Sequence, residues 1–235
     1  MADEGSDPPS ARLERLKDWE TRLDACFRGE PDHPVFVALA DTVRRFGIPR
    51  KPFADLLTAF RMDVTQTRYD QFEHLMEYCR HSANPIGHLV LYIFREMREP
   101  HLGLSDRICT ALQLTNFWQD LSLDWRKGRL YLPLEDLARF GYTEDNLQKA
   151  VVDDRFRRLM EFEVSRTREI FAVGKELLHR VGGSLQFELL LTYRGGMAIL
   201  DGIEKQGYDV LSCRPVLSAW NKISIGLSAT LRRKP

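Results

Sequence analysis

Apolar residues recur at helical spacing along nearly the whole chain, and the strict alternation of a half-buried strand hardly appears. The period is clearest over residues 11–28, 34–46, 52–62, 68–98, 104–126, 152–181 and 184–206, with a weaker segment at 215–232. Stripes of this kind are buried helix against helix, so the expected class is an all-α helical bundle with one core. Ser10 stands where it can cap the first helix. Asn84-Pro85 falls inside the 68–98 segment; proline removes a backbone donor and crowds the preceding turn, so a kink or break is expected there. "RKGRLYLPLEDLARFGYT" reads as a loop followed by a short helix.

The chain has 235 residues, 43% of them hydrophobic, enough for a substantial core in a single domain. Thirty-four basic residues balance thirty-four acidic ones, so no net field draws in nucleic acid or an anionic membrane, and any strong anion site has to be local. Cys26, Cys79, Cys109 and Cys213 are widely spaced and form no CxxC pair, which argues for reduced thiols in a cytoplasmic protein rather than a zinc ribbon or a disulfide framework. No apolar run approaches the ~18 residues of a membrane span, and the N-terminus has no basic and apolar leader pattern.

One helix departs from ordinary amphipathicity. At about 100° per residue, Gln113, Asn116, Asp120 and Asp124 share roughly an 80° arc, while apolar residues occupy the other directions. A solvent face is usually built from Lys, Glu and Arg, whereas these short carboxylates and carboxamides are poor helix formers suited to holding a fixed ligand. Two aspartates one turn apart also repel by a few tenths of a kcal/mol, roughly, unless a cation compensates. Mg²⁺ takes oxygen ligands and is commonly held by one or two carboxylates together with substrate phosphates. Arg126, Lys127 and Arg129 follow directly, placing cations for phosphate oxygens beside acids for a metal. Gly128 supplies a turn, and Tyr131 with Pro133 an extended exit.

These residues carry a resemblance. "QLTNFWQDLSLDWRKGRLYLP", residues 113–133, resembles the second aspartate-rich signature of the squalene and phytoene synthases, QxxNxxxDxxxD followed by GRxYxP. "RYDQFEHLMEYCRHSANPIG", residues 68–87, is similar to the family's RYxTxxxLxxYCxxxAxxxG segment, with Tyr78, Cys79, Ala83 and Gly87 in register. The likeness continues more loosely to about residue 210. It implies the isoprenoid-synthase bundle, with a central cavity, a Mg²⁺ cluster at its mouth and a prenyl diphosphate substrate. The variants "NFWQD" and "SANPIG" look most like the hydroxysqualene synthase branch, which serves hopanoid synthesis. Gln119 supports the branch, since head-to-head condensing relatives commonly carry arginine there.

Carried over residue by residue, the resemblance implies metal binding by Asp120 and Asp124 with Asn116, and diphosphate or metal-water contacts from Gln113, Asn116, Gln119, Lys127, Arg129 and Arg68. It also makes Tyr78 the cavity aromatic that steadies a carbocation. Of the family's first motif, DDxxD, only Asp3 and Glu4 match, as further metal ligands; the single domain 1–235 is thus expected to lack the N-terminal helix region and most of that motif. Gly196 falls where some relatives carry an aromatic.

The implied activity is a magnesium-dependent conversion of presqualene diphosphate to hydroxysqualene. The alternatives are head-to-head condensation of two prenyl diphosphates and a catalytically silent family member acting as an assembly factor. Implied partners are the prenyl diphosphate and other squalene-pathway enzymes, with peripheral membrane contact aided by the basic tail "RRKP" and no nucleic acid. His81 and His88 lie seven apart on one helical face, with no carboxylate or cysteine at ligand spacing, and read as packing or solvent-facing residues. For Arg61, Asp63 and Arg68-Tyr69, a cavity role and an ordinary capping role are both open.

Overall fold

A computed structural model describes residues 7–217 and contains, among them, helices and connecting loops without strands. In chain order the helices are α1 (Pro9–Arg28), α2 (Pro34–Phe46), α3 (Lys51–Thr65), α4 (Phe72–Ser82), α5 (Asn84–Ile93) and α6 (His101–Arg126). They continue with α7 (Leu134–Arg139), α8 (Glu144–Gln148), α9 (Asp154–Gly174), α10 (Leu177–Arg180) and α11 (Gly183–Lys205).

Ser10 lies inside α1 and does not cap it; the helix opens on Pro9 after an extended Pro8, where a missing N–H loses no intrahelical bond. The 68–98 segment is two helices. Arg68 to Gln71 precede the first of them, and the second begins at Asn84-Pro85, with buried Asn84 accepting a hydrogen bond from Thr110 Oγ1 at 2.9 Å. Position 85 suits proline because it falls in the first turn of a new helix. The expected break at Asn84-Pro85 puts His81 on α4 and His88 on α5, so the two do not share one helical face. His88 meets Asp106 at 2.6 Å and His81 meets Glu77 at 3.0 Å. The 152–181 segment likewise ends at Gly174, and α10 follows as a separate turn. The weak 215–232 segment falls outside the described residues from 218 onward, and residues 215–217 are not helical.

α6 is the axis of the bundle. It packs against α4, α5, α9, α10 and α11, and its buried residues, from Ser105 through Ile108, Ala111, Leu114 and Trp118 to Leu121, point in several directions rather than along one stripe. A helix buried on most sides has no need of a solvent face, which makes its remaining polar arc distinctive. Trp118 donates its indole N–H to Thr167 of α9 at 2.8 Å, satisfying the one polar group of a fully buried side chain. A smaller apolar cluster, formed by Leu16, Leu23 and Cys26 of α1, Phe36 of α2 and Leu57 of α3, lies beside the main core.

α7 is docked on α9 by a buried charge network. Arg166 binds Asp136 at 2.8 Å and Glu163 at 2.5 Å, with its guanidinium over the ring of Phe72 at 3.4 Å. Burial, with the neighbouring Asp136 acting in the same direction, pushes the Glu163 carboxyl up to about 8 against the pull of Arg166. Among the described residues no helix is long and apolar enough to cross a membrane.

Candidate active site

The turn after α6 is held by the segment that precedes α4. Leu130 N–H donates to Thr67 O at 2.9 Å, Leu134 N–H to Tyr69 O at 2.9 Å and Glu135 N–H to Asp70 O at 3.0 Å, so two extended stretches far apart in sequence run side by side. Gly128, at φ +79°, makes the reversal possible because a Cβ is disfavoured in that conformation. Tyr69 and Tyr131 are thereby brought to stack, with centroids 5.6 Å apart, and Tyr131 lies flat on Phe117 of α6 at 3.8 Å and 10°. Tyr78 of α4 completes this aromatic group, 5.8 Å from Tyr131.

Arg68 closes the same junction. Its guanidinium grips Glu144 with both Nε and Nη2 (2.9–3.1 Å), donates to Gly128 O at 2.7 Å and lies over Trp125 at 5.1 Å. In this structure the donors of Arg68, expected at the diphosphate, are engaged in clamping the loop. Arg61 likewise turns away, to Glu20 at 2.6 Å.

On α6, Asn116 Nδ2 donates to Asp120 Oδ2 at 3.0 Å, and Asp120 Oδ1 accepts from Arg214 Nε. Asp124, one turn on, is half-buried, and its carboxyl is pushed up to about 6, first by burial and then by the charge of Asp120 and of Asp63, with Lys127 and Arg129 opposing. Asp63, at the end of α3, accepts the Tyr78 hydroxyl at 2.7 Å. Burial raises the Tyr78 and Tyr131 phenols, helped by Asp63, and Tyr131 reaches about 12, so both stay neutral hydrogen-bond donors. The structure therefore collects three acids, Asp63, Asp120 and Asp124, with Lys127 and Arg129 beside an aromatic wall. Among the described residues no three His, Cys, Asp or Glu side chains converge tightly enough to form a closed metal site.

A cavity of about 470 Å³ lies between α6 and α11, lined among others by Leu112, Thr115, Asn116, Gln119, Gly196 and Arg214. At Gly196 a Cβ would stand 2.6 Å from Phe171 Cζ, so a side chain larger than hydrogen would require Phe171 or α11 to shift. Gln119 donates to Pro215 O at 2.6 Å and, with Arg214, ties the C-terminal segment over α6. Gln113 is half-buried a turn before Asn116 and does not line this cavity. Tyr78 does not line it either: it is 5% exposed and packed in the aromatic group behind Asp63. Asp3 and Glu4 lie outside the described residues.

Asp63 and Arg214 are the site residues that spacing left unassigned. For Asp63 the sequence left a cavity role and a capping role both open, and nothing in the sequence around Arg214 marks it as a partner of Asp120.

An all-α bundle whose central helix carries an acid face next to a cavity has the architecture of the isoprenoid synthases. The chain belongs to the squalene/phytoene synthase family, whose model matches residues 1–221. Its members are prenyltransferase-type enzymes of isoprenoid biosynthesis. The chain is 36% identical to a phytoene synthase of Arthrospira platensis over 242 aligned positions, covering 96% of this chain and 77% of the relative. It is 34% identical to 15-cis-phytoene synthase of Synechococcus elongatus, covering 94% and 77%. Among solved structures it superposes on squalene synthase HpnC of Alicyclobacillus acidocaldarius with a TM-score of 0.83 and 39% identity, covering 87% of this chain and 76% of that one. A dehydrosqualene synthase shares the fold at a TM-score of 0.79 and 23% identity, covering 92% and 77%.

Proposed function

We propose that this protein removes diphosphate from a prenyl diphosphate, converting presqualene diphosphate to hydroxysqualene in the squalene and hopanoid route. The observation that carries this reading is the pair Asp120 and Asp124 on one face of a helix buried on most of its other sides, with Lys127 and Arg129 acting on the second of them.

The donor set suits Mg²⁺. Asp120 and Asp124 offer hard oxygen ligands, the hydrogen bond from Asn116 Nδ2 leaves its carbonyl oxygen available, and Asp63 adds negative charge that a cation would relieve. When bound, the ion supplies positive charge to the departing diphosphate. The chain's own residues do the rest. Lys127 and Arg129 pair with phosphate oxygens, and Gln119 contributes an uncharged amide beside that site. The carbon–oxygen bond to diphosphate breaks with its electron pair, the resulting cation rearranges, and one water captures it with loss of a proton to give the alcohol. The cavity walls Leu112 and Gly196 limit further water, which would otherwise end the reaction early. Asp3 and Glu4 are assigned to the same cation by their likeness to the family's first motif.

Support for the hydroxysqualene branch comes from Gln119 in front of Asp120 and from the 39% identity to a squalene synthase. The second reading, head-to-head condensation, is favoured by the 36% identity to a phytoene synthase. Incubation with Mg²⁺ and presqualene diphosphate, and separately with farnesyl or geranylgeranyl diphosphate alone, tests both by mass spectrometry of the extracted products. Hydroxysqualene from the first substrate supports the proposal. Presqualene diphosphate or phytoene from the others supports condensation, and no turnover of any supports a silent family member.

A further inference from the structure

Away from the acid face, the C-terminal ends of α2 and α5 meet around a second cavity, of about 340 Å³, lined by Arg45, Phe46, Tyr92, Arg95 and Met97. Arg45 and Arg95 are fifty positions apart in sequence, both are exposed, and neither has a carboxylate within 4.0 Å among the described residues. The nearby acids have other partners. Asp41 meets Arg44 at 3.9 Å, and Glu96 turns inward to Arg98 at 2.7 Å and His101 at 3.3 Å, leaving Glu99 as the exposed carboxylate of the loop.

Two further observations distinguish this end of the bundle. Ile93 and Phe94 stand beside Arg95 with 44% and 38% of their surface exposed, an apolar pair next to two cations without carboxylate partners, of which Arg45 lies over the Phe46 ring at 5.3 Å. Arg95 itself has φ +59°, a left-handed conformation that ends α5 where glycine would be the easier residue. The chain thus keeps a guanidinium at a position whose backbone disfavours any side chain.

We propose that this end of the bundle docks on an anionic phospholipid surface, with Arg45 and Arg95 receiving lipid phosphate at the cavity mouth and Ile93 and Phe94 entering the boundary of the acyl chains. Paired cations next to exposed apolar residues complement a negatively charged interface, where electrostatic attraction and apolar insertion add. With Glu99 alongside and a chain of zero formal net charge, binding is local and salt-sensitive. The proposal is independent of which prenyl diphosphate reaction the acid face performs.

Co-sedimentation of the full chain with vesicles of phosphatidylcholine, with and without phosphatidylglycerol, tests it. The chain should sediment with anionic vesicles only, and less as salt rises. Arg45→Gln combined with Arg95→Gly should lower the partition coefficient roughly tenfold or more. Arg95→Gly suits the backbone, and an unchanged urea midpoint of the double variant separates lost binding from misfolding. Phe94→Ser should weaken binding even at low salt. Equal binding to neutral vesicles, no binding to either kind, or unchanged binding by the double variant would each overturn the proposal. Displacement by inorganic phosphate, matched in ionic strength with chloride, would also overturn it, by showing a site for a soluble anion.

Discussion

Asp120 accepts a hydrogen bond from Arg214, a residue 94 positions later in the chain, so the acid face of α6 is tied to the C-terminal segment rather than open on all sides. The pair is partly exposed, 39% for the arginine side chain and 18% for the aspartate, and solvent screening limits its worth. Arg214→Gln is expected to reduce stability by about 0.5 kcal/mol in urea denaturation. It should increase hydrogen exchange at Cys213 and Arg214, because α6 then holds the segment through Gln119, while Gln206 still donates to Cys213 O.

Asp124→Asn removes one of two adjacent acids without changing side-chain shape. Diphosphate release from the substrate should fall by roughly a hundredfold or more if the pair holds a cation. Unfolding free energy should hold or rise slightly, since like-charge repulsion is relieved. A variant that turns over at the parent rate would remove Asp124 from the chemistry.

The Glu163 carboxyl offers a pH test of the fold. Its folded value, about 8, lies above the ordinary carboxylate range, so the folded chain holds a proton that the unfolded chain releases. That contribution to stability is fully present below the unfolded value, near 4.5, and is lost as pH rises through about 8. Urea midpoints should decline from pH 5 to pH 9, by roughly 1 kcal/mol or more in free energy. Glu163→Gln, which keeps the neutral shape, should flatten that slope.

Arg68 and Glu144 should behave as a coupled clamp. Each alanine variant is expected to cost about 1 kcal/mol, and the double variant less than the sum, by roughly 0.5 kcal/mol. A phosphate-binding arginine would instead raise KM without any coupling to Glu144, and the mutant cycle distinguishes the two.

Trp118→Phe keeps most of the apolar volume but leaves Thr167 without its indole donor. A loss of about 1–2 kcal/mol in urea denaturation is expected. An unchanged midpoint would show that the hydrogen bond contributes nothing net.

The approximate extent of most long helices was legible because apolar spacing follows the backbone period, and residues 34–46 match α2 end for end. Where periodicity ran through a break, it misled. The proline at 85 announced the break between α4 and α5, but nothing in the spacing reports that Gly174 closes α9 where the apolar pattern carries on into α10. Ser10 failed as a cap because two prolines before it already set the start of α1.

By itself the sequence determined that α6 carries Asn116, Asp120 and Asp124 on one arc, since side-chain direction along a helix depends only on residue spacing. Only the tertiary structure decided what each of them meets. Arg214 came to Asp120, Asp63 added its charge to that felt by Asp124, Arg68 went to Glu144, and Tyr78 was sealed among Tyr69, Phe117 and Tyr131. The reason is physical: local period sets where a side chain points, whereas its partner is set by how separate helices pack, and that depends on side chains tens of residues away.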